Sequence, residues 1–317
     1  MQKIPVFQTV GRAYGFAFGR YFSTLSIIWL PMLLLFVLAW FLVVPRFPEM
    51  LRIFSQIAQH PDDNAANTQL LTEFNRSAAY LQLFNLIELA FGVIILSGIT
   101  KEALGLRTGP RFYYLQFGSA ELYVLIAVIL MVVIIFGVIM AAFLGGLIIG
   151  LIGVLVLGAA GSGGGPTAAQ GILGLIVGLA AMVGAFYVLA RSLFLLVPVS
   201  IAENVVGIGR SWTLAKGNVL RILATFLLTV LPLALIEFIV ILVLVVPVAI
   251  QFVNESKNGG QEAVQHHVQA LLNAAPEYLV GFGVVAFLLA PIGYGLLVSL
   301  PAFAYRALVP AAPAAHS

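Results

Sequence analysis

From Leu122 to Leu157 the chain runs through 36 residues without one charged side chain. As a single straight helix that run would be about 54 Å long, well beyond a hydrocarbon core of about 30 Å. Such a segment belongs in lipid. The rest of the chain agrees: it is 62% hydrophobic and only 9% charged, too little polar surface to cover a soluble globule. Its apolar residues come in stretches of about 20, the length of a membrane-crossing helix, so helices rather than a barrel satisfy the backbone. Spans are expected at 24–44, 80–100, 122–144, 169–190, 222–250 and 278–304. The long uncharged run is expected to end its span at the Gly145-Gly146 pair, with 146–158 an apolar half-helix dipping into the outer leaflet or packed on the bundle. "GAAGSGGGPT" (Gly158 to Thr167) then reads as an external turn.

Charge sets the expected orientation. One side of this six-span arrangement carries Lys3, Arg12, Arg20, Lys101, Arg107, Arg111, Arg191, Arg210, Lys216, Arg221 and Arg306, and the other only Arg46, Arg52, Arg76 and Lys257. Basic residues are retained on the cytoplasmic side of bacterial-type membranes, so both termini are expected in the cytoplasm and the protein in the inner membrane. Reading 122–157 as two spans would put the basic Arg191 to Arg221 loop outside. The first apolar run has no small-residue cleavage pattern after it and reads as a retained span. Cysteine is absent, which removes disulfides, thiolate catalysis and cysteine metal sites.

The nonapeptide "GRAYGFAFG" (Gly11 to Gly19) is echoed by "PRFYYLQFG" (Pro110 to Gly118) and "GRSWTLAKG" (Gly209 to Gly217), each 99 residues after the last. A fixed period is the mark of tandem duplication. Candidate repeats are 11–109, 110–208 and 209–307 within a single membrane domain, 1–317. The fold class expected is an all-α integral membrane protein: six transmembrane helices as three tandem same-orientation hairpins, each preceded by a cytoplasmic interfacial segment. Same-orientation copies imply an axis along the membrane normal. The alternative is an irregular six-helix bundle. In the same register, 146–158 matches 47–59, "FPEMLRIFSQIAQ", where Met50, Ile53, Phe54 and Ile57 share one helical face.

The residues able to carry function are few. Arg12, Tyr14, Arg111, Tyr113, Arg210, Trp212 and Lys216 are interfacial candidates, because Arg with Tyr or Trp anchors a helix at headgroup level and cations attract anionic lipid at about 1 kcal/mol each. Glu88 and Glu237 lie deep within spans, where an ionisable group is costly; Asn85 sits one turn from Glu88, and Arg191 is the expected partner of Glu88. His60, Asp62, Asp63, His266, His267 and His316 fall outside the spans and read as solvated loop residues. No intramembrane His, aspartate pair, H-E-x-x-H or G-x-S-x-G is present, so no enzyme is expected. No cofactor or metal is called for, and a formal charge of +3 does not suggest nucleic acid.

The segment "RSLFLLVPVSIAENVVGIGRSWTLAKGNVLR" resembles a bacterial polytopic family, the glycerophosphoryl diester phosphodiesterase membrane domain. The likeness rests on Arg191, Pro198, Ala202, Glu203, Arg210, Ser211, Trp212, Leu214, Lys216, Gly217 and Asn218, and the N-terminal "AFGRYFSTL" is similar too. It implies a link to membrane lipid or envelope processes. Phosphodiesterase activity is not implied, since the acidic and histidine clusters of that catalytic domain have no counterpart here. The function expected is a non-enzymatic scaffold or lipid-associated accessory module, with membrane lipids as partners and a protein partner at the 191–221 loop. The alternative is a transporter with a polar path near Glu88 and Glu237. Three hairpins in about 300 residues are similar to mitochondrial carriers, but their P-x-[DE]-x-x-[KR] motif does not occur.

Overall fold

A computed structural model describes residues 2–59, 64–108, 112–158 and 168–309. Among the described residues the chain is helical, without strand: α1 (Val6–Gly19), α2 (Tyr21–Leu42), a 3-10 turn (Val44–Arg46), α3 (Phe47–Gln59), α4 (Asn64–Leu104), α5 (Ser119–Gly158), α6 (Ala168–Leu193), α7 (Leu196–Glu203), α8 (Ile208–Leu214) and α9 (Val219–Leu308). Six stretches are long and apolar enough to cross a membrane: Tyr21–Met50, Thr68–Leu104, Ser119–Gly145, Ile176–Glu203, Val219–Ile236 and Gly283–Leu308. Each overlaps an expected span. The amphipathic segment 47–59 is α3 itself, with Ile53 fully buried.

Two helices differ from expectation. α5 is unbroken through Gly145-Gly146 for 40 residues, so 146–158 continues the third span as helix. A glycine costs a helix interior only about 1 kcal/mol, whereas backbone freed from its helical bonds in lipid costs several. α9 is helical for 90 residues, about 135 Å if straight. It is not straight: Ile222 shares a buried cluster with Tyr305 and Leu308, and Leu233 packs against Leu296. The element therefore turns back on itself between Ile236 and Gly283, giving two antiparallel arms.

The buried residues concentrate at one end of the bundle, in the turns of each span that lie nearest it. They include Ile27 and Ile28 of α2, Ile95 and Ile99 of α4, Val124 of α5, Leu195 and Val199, Ile222, and Leu296 and Leu300. Farther along, large apolar side chains such as Phe41, Val132, Phe136 and Val243 are exposed, as suits a surface solvated by lipid. Close approach holds the packed end. A Cβ on Gly98 would lie 2.6 Å from Ile27 Cγ2 and 2.9 Å from Tyr114 Cδ1, and one on Gly295 only 3.1 Å from Ala17 Cα. A cavity of about 490 Å³ lies between α4, α5, α6, α7 and both arms of α9.

α1 packs lengthwise on a candidate span. It buries Thr9, Ala13, Phe16 and Ala17, one stripe at helical spacing, and lies along the returning arm of α9 from Ile4 beside Leu308 to Ala17 against Gly295. The three related nonapeptides take unlike conformations. The first is this helix, residues 112–117 of the second are extended loop, and the third is the short α8 with the turn after it. Their shared period does not give a shared local structure.

Candidate functional site: a charged layer at one end of the bundle

The helix ends that meet at the packed pole carry nearly all the polar contacts. Glu102, at the end of α4, takes Arg20 at 2.7 Å, the Ser23 hydroxyl at 2.9 Å and Arg107 at 3.6 Å. Arg107 also donates to the Ser26 hydroxyl at 3.2 Å. This ties the α1–α2 junction to the 105–118 loop, which Trp29 Nε1 pins further through the Phe112 carbonyl at 2.7 Å.

Glu121 is the second node. It is the third residue of α5, and its Oε2 accepts the Gly118 N–H at 2.9 Å, the capping-box return that satisfies a free donor at a helix start. Its Oε1 accepts Lys101 at 2.6 Å and the Tyr114 hydroxyl at 2.7 Å. Burial pushes the Tyr114 phenol well above the usual range, helped by the hydrogen bond to the Glu121 carboxylate and its charge, with Arg107 opposing. Tyr114 is therefore a neutral donor, seated with its ring against Gly98.

The Arg191 to Arg221 segment folds into a single block. Arg191 is buried near the end of α6; its Nε and Nη2 donate to the Trp212 carbonyl at 3.3 and 3.0 Å, and Nη1 donates to the Tyr187 hydroxyl at 2.9 Å. Its guanidinium lies 4.0 Å from the Trp212 ring centroid. The Ser211 hydroxyl returns a bond to the Arg191 carbonyl at 3.2 Å. Glu203 takes Arg210 at 3.1 Å and the Tyr305 hydroxyl at 3.1 Å. Gly207 is required by contact, since a Cβ there would overlap Val199. Gly217, at φ +74°, turns the chain into α9 in a conformation that glycine adopts without cost. Asn218 is buried; its Oδ1 accepts the Ile4 N–H at 3.0 Å and its Nδ2 donates to the Gln2 carbonyl at 3.1 Å. Arg221 donates to the Ile4 carbonyl at 2.8 Å.

Of the interfacial candidates, Arg12 and Lys216 are exposed, and Tyr113 is exposed on its loop. Tyr14 is half-buried, its hydroxyl donating to the Thr229 carbonyl at 3.2 Å. Arg210 is held by Glu203, and Trp212 is half-buried beneath Arg191. Arg111, His60, Asp62, Asp63 and His316 lie outside the described residues, as do the side chains of Glu237, His266 and His267.

The expected Arg191 to Glu88 pair does not form. Arg191 spends its donors on Trp212 and Tyr187, because the Trp212 carbonyl and ring stand directly over its end of α6. Glu88 and Asn85 are exposed on α4, with Glu88 within electrostatic reach of Tyr294. Neither lines the cavity.

Glu102, Glu121 and Tyr114 were not singled out from the sequence, and Asn218 was named only as part of the family likeness. Glu121 had a readable signal, a Glu three residues after Gly118 at the head of an apolar run. The contacts of Asn218 had none, for its partners are more than 200 residues away. Comparison with family models, with curated proteins and with solved structures gives no match.

Proposed function

We propose that this is a non-enzymatic multi-pass protein of a bacterial inner membrane, a scaffold or accessory module that engages anionic lipid on its cytoplasmic face. One observation carries the reading. At the packed pole the described basic residues are Lys3, Arg12, Arg20, Lys101, Arg107, Arg191, Arg210, Lys216, Arg221 and Arg306, against three carboxylates, Glu102, Glu121 and Glu203, each already in an ion pair. A surface with that excess attracts an anionic leaflet, and the same asymmetry supports cytoplasmic termini. The resemblance of Arg191 to Arg221 to the phosphodiesterase membrane-domain family supports a lipid or envelope role. The compact 191–221 block offers Arg210 and Lys216 outward as a partner surface.

The transporter alternative has less support, since Glu88 and Asn85 face outward and the cavity among the spans is apolar. An origin in three tandem hairpins has the 99-residue period in its favour, while the unlike local conformations favour the irregular bundle.

Lipid co-purifying with the full chain in native nanodiscs tests the reading. Phosphatidylglycerol should be enriched over phosphatidylcholine, and the triple variant Lys3→Ala, Arg12→Ala, Lys216→Ala should lose most of that enrichment, at about fivefold per cation. Unchanged enrichment sinks the proposal. Reporter fusions at Ser119 and Lys216 should report cytoplasm, and those at Asn64 and Lys257 the outside.

A further inference from the structure

The cavity of about 490 Å³ is lined by residues from five of the six membrane-capable stretches, all but the first. Phe186 of α6, Phe194 just after it, Met131 of α5, and Phe226 and Leu297 of α9 are in its wall, and among the described lining residues Thr100 is the one polar side chain. A wall of this chemistry excludes water; apolar cavities stay dry or hold hydrocarbon. The solvent that reaches membrane spans is lipid. An apolar cavity of about 150 Å³ holds a benzene, so a volume three times larger matches one long hydrocarbon chain.

One end of the cavity reaches the charged layer, where Thr100 precedes Lys101 and Ile222 follows Arg221. We infer that the cavity is an acyl-chain site, holding one chain of a bilayer phospholipid with its headgroup at the basic layer. The site rests on the membrane-spanning reading of the bundle, and the choice of headgroup on the proposal above.

The experiment uses the full chain in nanodiscs, doped with phosphatidylcholine or phosphatidylglycerol bearing a diazirine on one acyl chain. After photolysis, peptides containing Phe186 and Phe194 should be labelled at least as strongly as the outward-facing Val132 to Phe136 segment. Val128→Trp and Leu193→Trp fill the cavity from two different helices, α5 and α6, so a variant that fails to insert leaves the other. Each should cut cavity label about tenfold, more than the loss of one hydrogen bond, and leave the outer segment unchanged. Absent label on Phe186 and Phe194, or label indifferent to either filler, overturns the site. Equal cavity label from both headgroups, still lost on filling, keeps the chain site and sinks the anionic-headgroup reading; phosphatidylglycerol enrichment without cavity label does the reverse.

Discussion

The Arg191 guanidinium meets Trp212 twice, its Cζ 4.0 Å from the ring centroid and two of its nitrogens on the Trp212 carbonyl. Lysine offers a point charge without the planar fork. Arg191→Lys should therefore lower stability by about 2 kcal/mol, the sum of a partly desolvated cation-π contact and a buried hydrogen bond. Thermal unfolding in detergent, followed by tryptophan emission, measures it; melting equal to wild type would show the fork to be dispensable.

Glu121 is 2% exposed and its partner Lys101 is 18% exposed. Glu121→Gln has a single amide oxygen, so it keeps either the cap on Gly118 or the acceptor for Tyr114 and not both, and it leaves Lys101 charged and unpaired, costing about 3 kcal/mol. Adding Lys101→Met should restore at least half of that loss. The double-variant cycle isolates the pair, and additive losses would contradict a charge coupling.

Glycines on one helix should part company. Gly98→Ala forces a methyl against Ile27 and Tyr114, both fully or nearly fully buried, so it should cost about 1 to 3 kcal/mol as an overpacking change. Gly92 has open space around it, and Gly92→Ala should be neutral or stabilising by up to about 1 kcal/mol. The difference between the two melting points is the observable.

Tyr114 has its phenol raised by burial and by Glu121, and a folded value above the unfolded one gives linkage of definite sign. The stabilisation is complete below about pH 10, where an ordinary phenol is neutral, and declines as pH rises through the raised folded value. Alkaline titration of tyrosinate absorbance should show no contribution from Tyr114 at the pH where ordinary phenols ionise. Subtracting the Tyr114→Phe curve checks this; a difference signal at about pH 10 would refute it.

What was legible from sequence was set by hydropathy. Each of the six expected spans has its counterpart, and 47–59 is a helix with matching bounds, because a 20-residue apolar run or an amphipathic stripe is a local signal. What failed was non-local or a competition of small terms. The Gly145-Gly146 pair did not break α5, since lipid penalises an open backbone more than glycine weakens a helix. Arg191 found Trp212 rather than Glu88, for proximity after folding is not written in depth along a span. The Arg-x-aromatic likeness among residues 12, 111 and 210 marked a period but not a conformation: α1 is shaped by the arm of α9 on which it lies.

The bonds from Ile4 and Gln2 to Asn218 join residues that leave the ribosome far apart in time. At about 5 to 20 residues per second, some 10 to 40 seconds separate their synthesis. The first span is thus synthesised long before the groups that will seat the amino-terminal segment exist. Assembly of this pole is a late, post-insertion event, and a ribosome stalled before Asn218 would leave α1 without its berth.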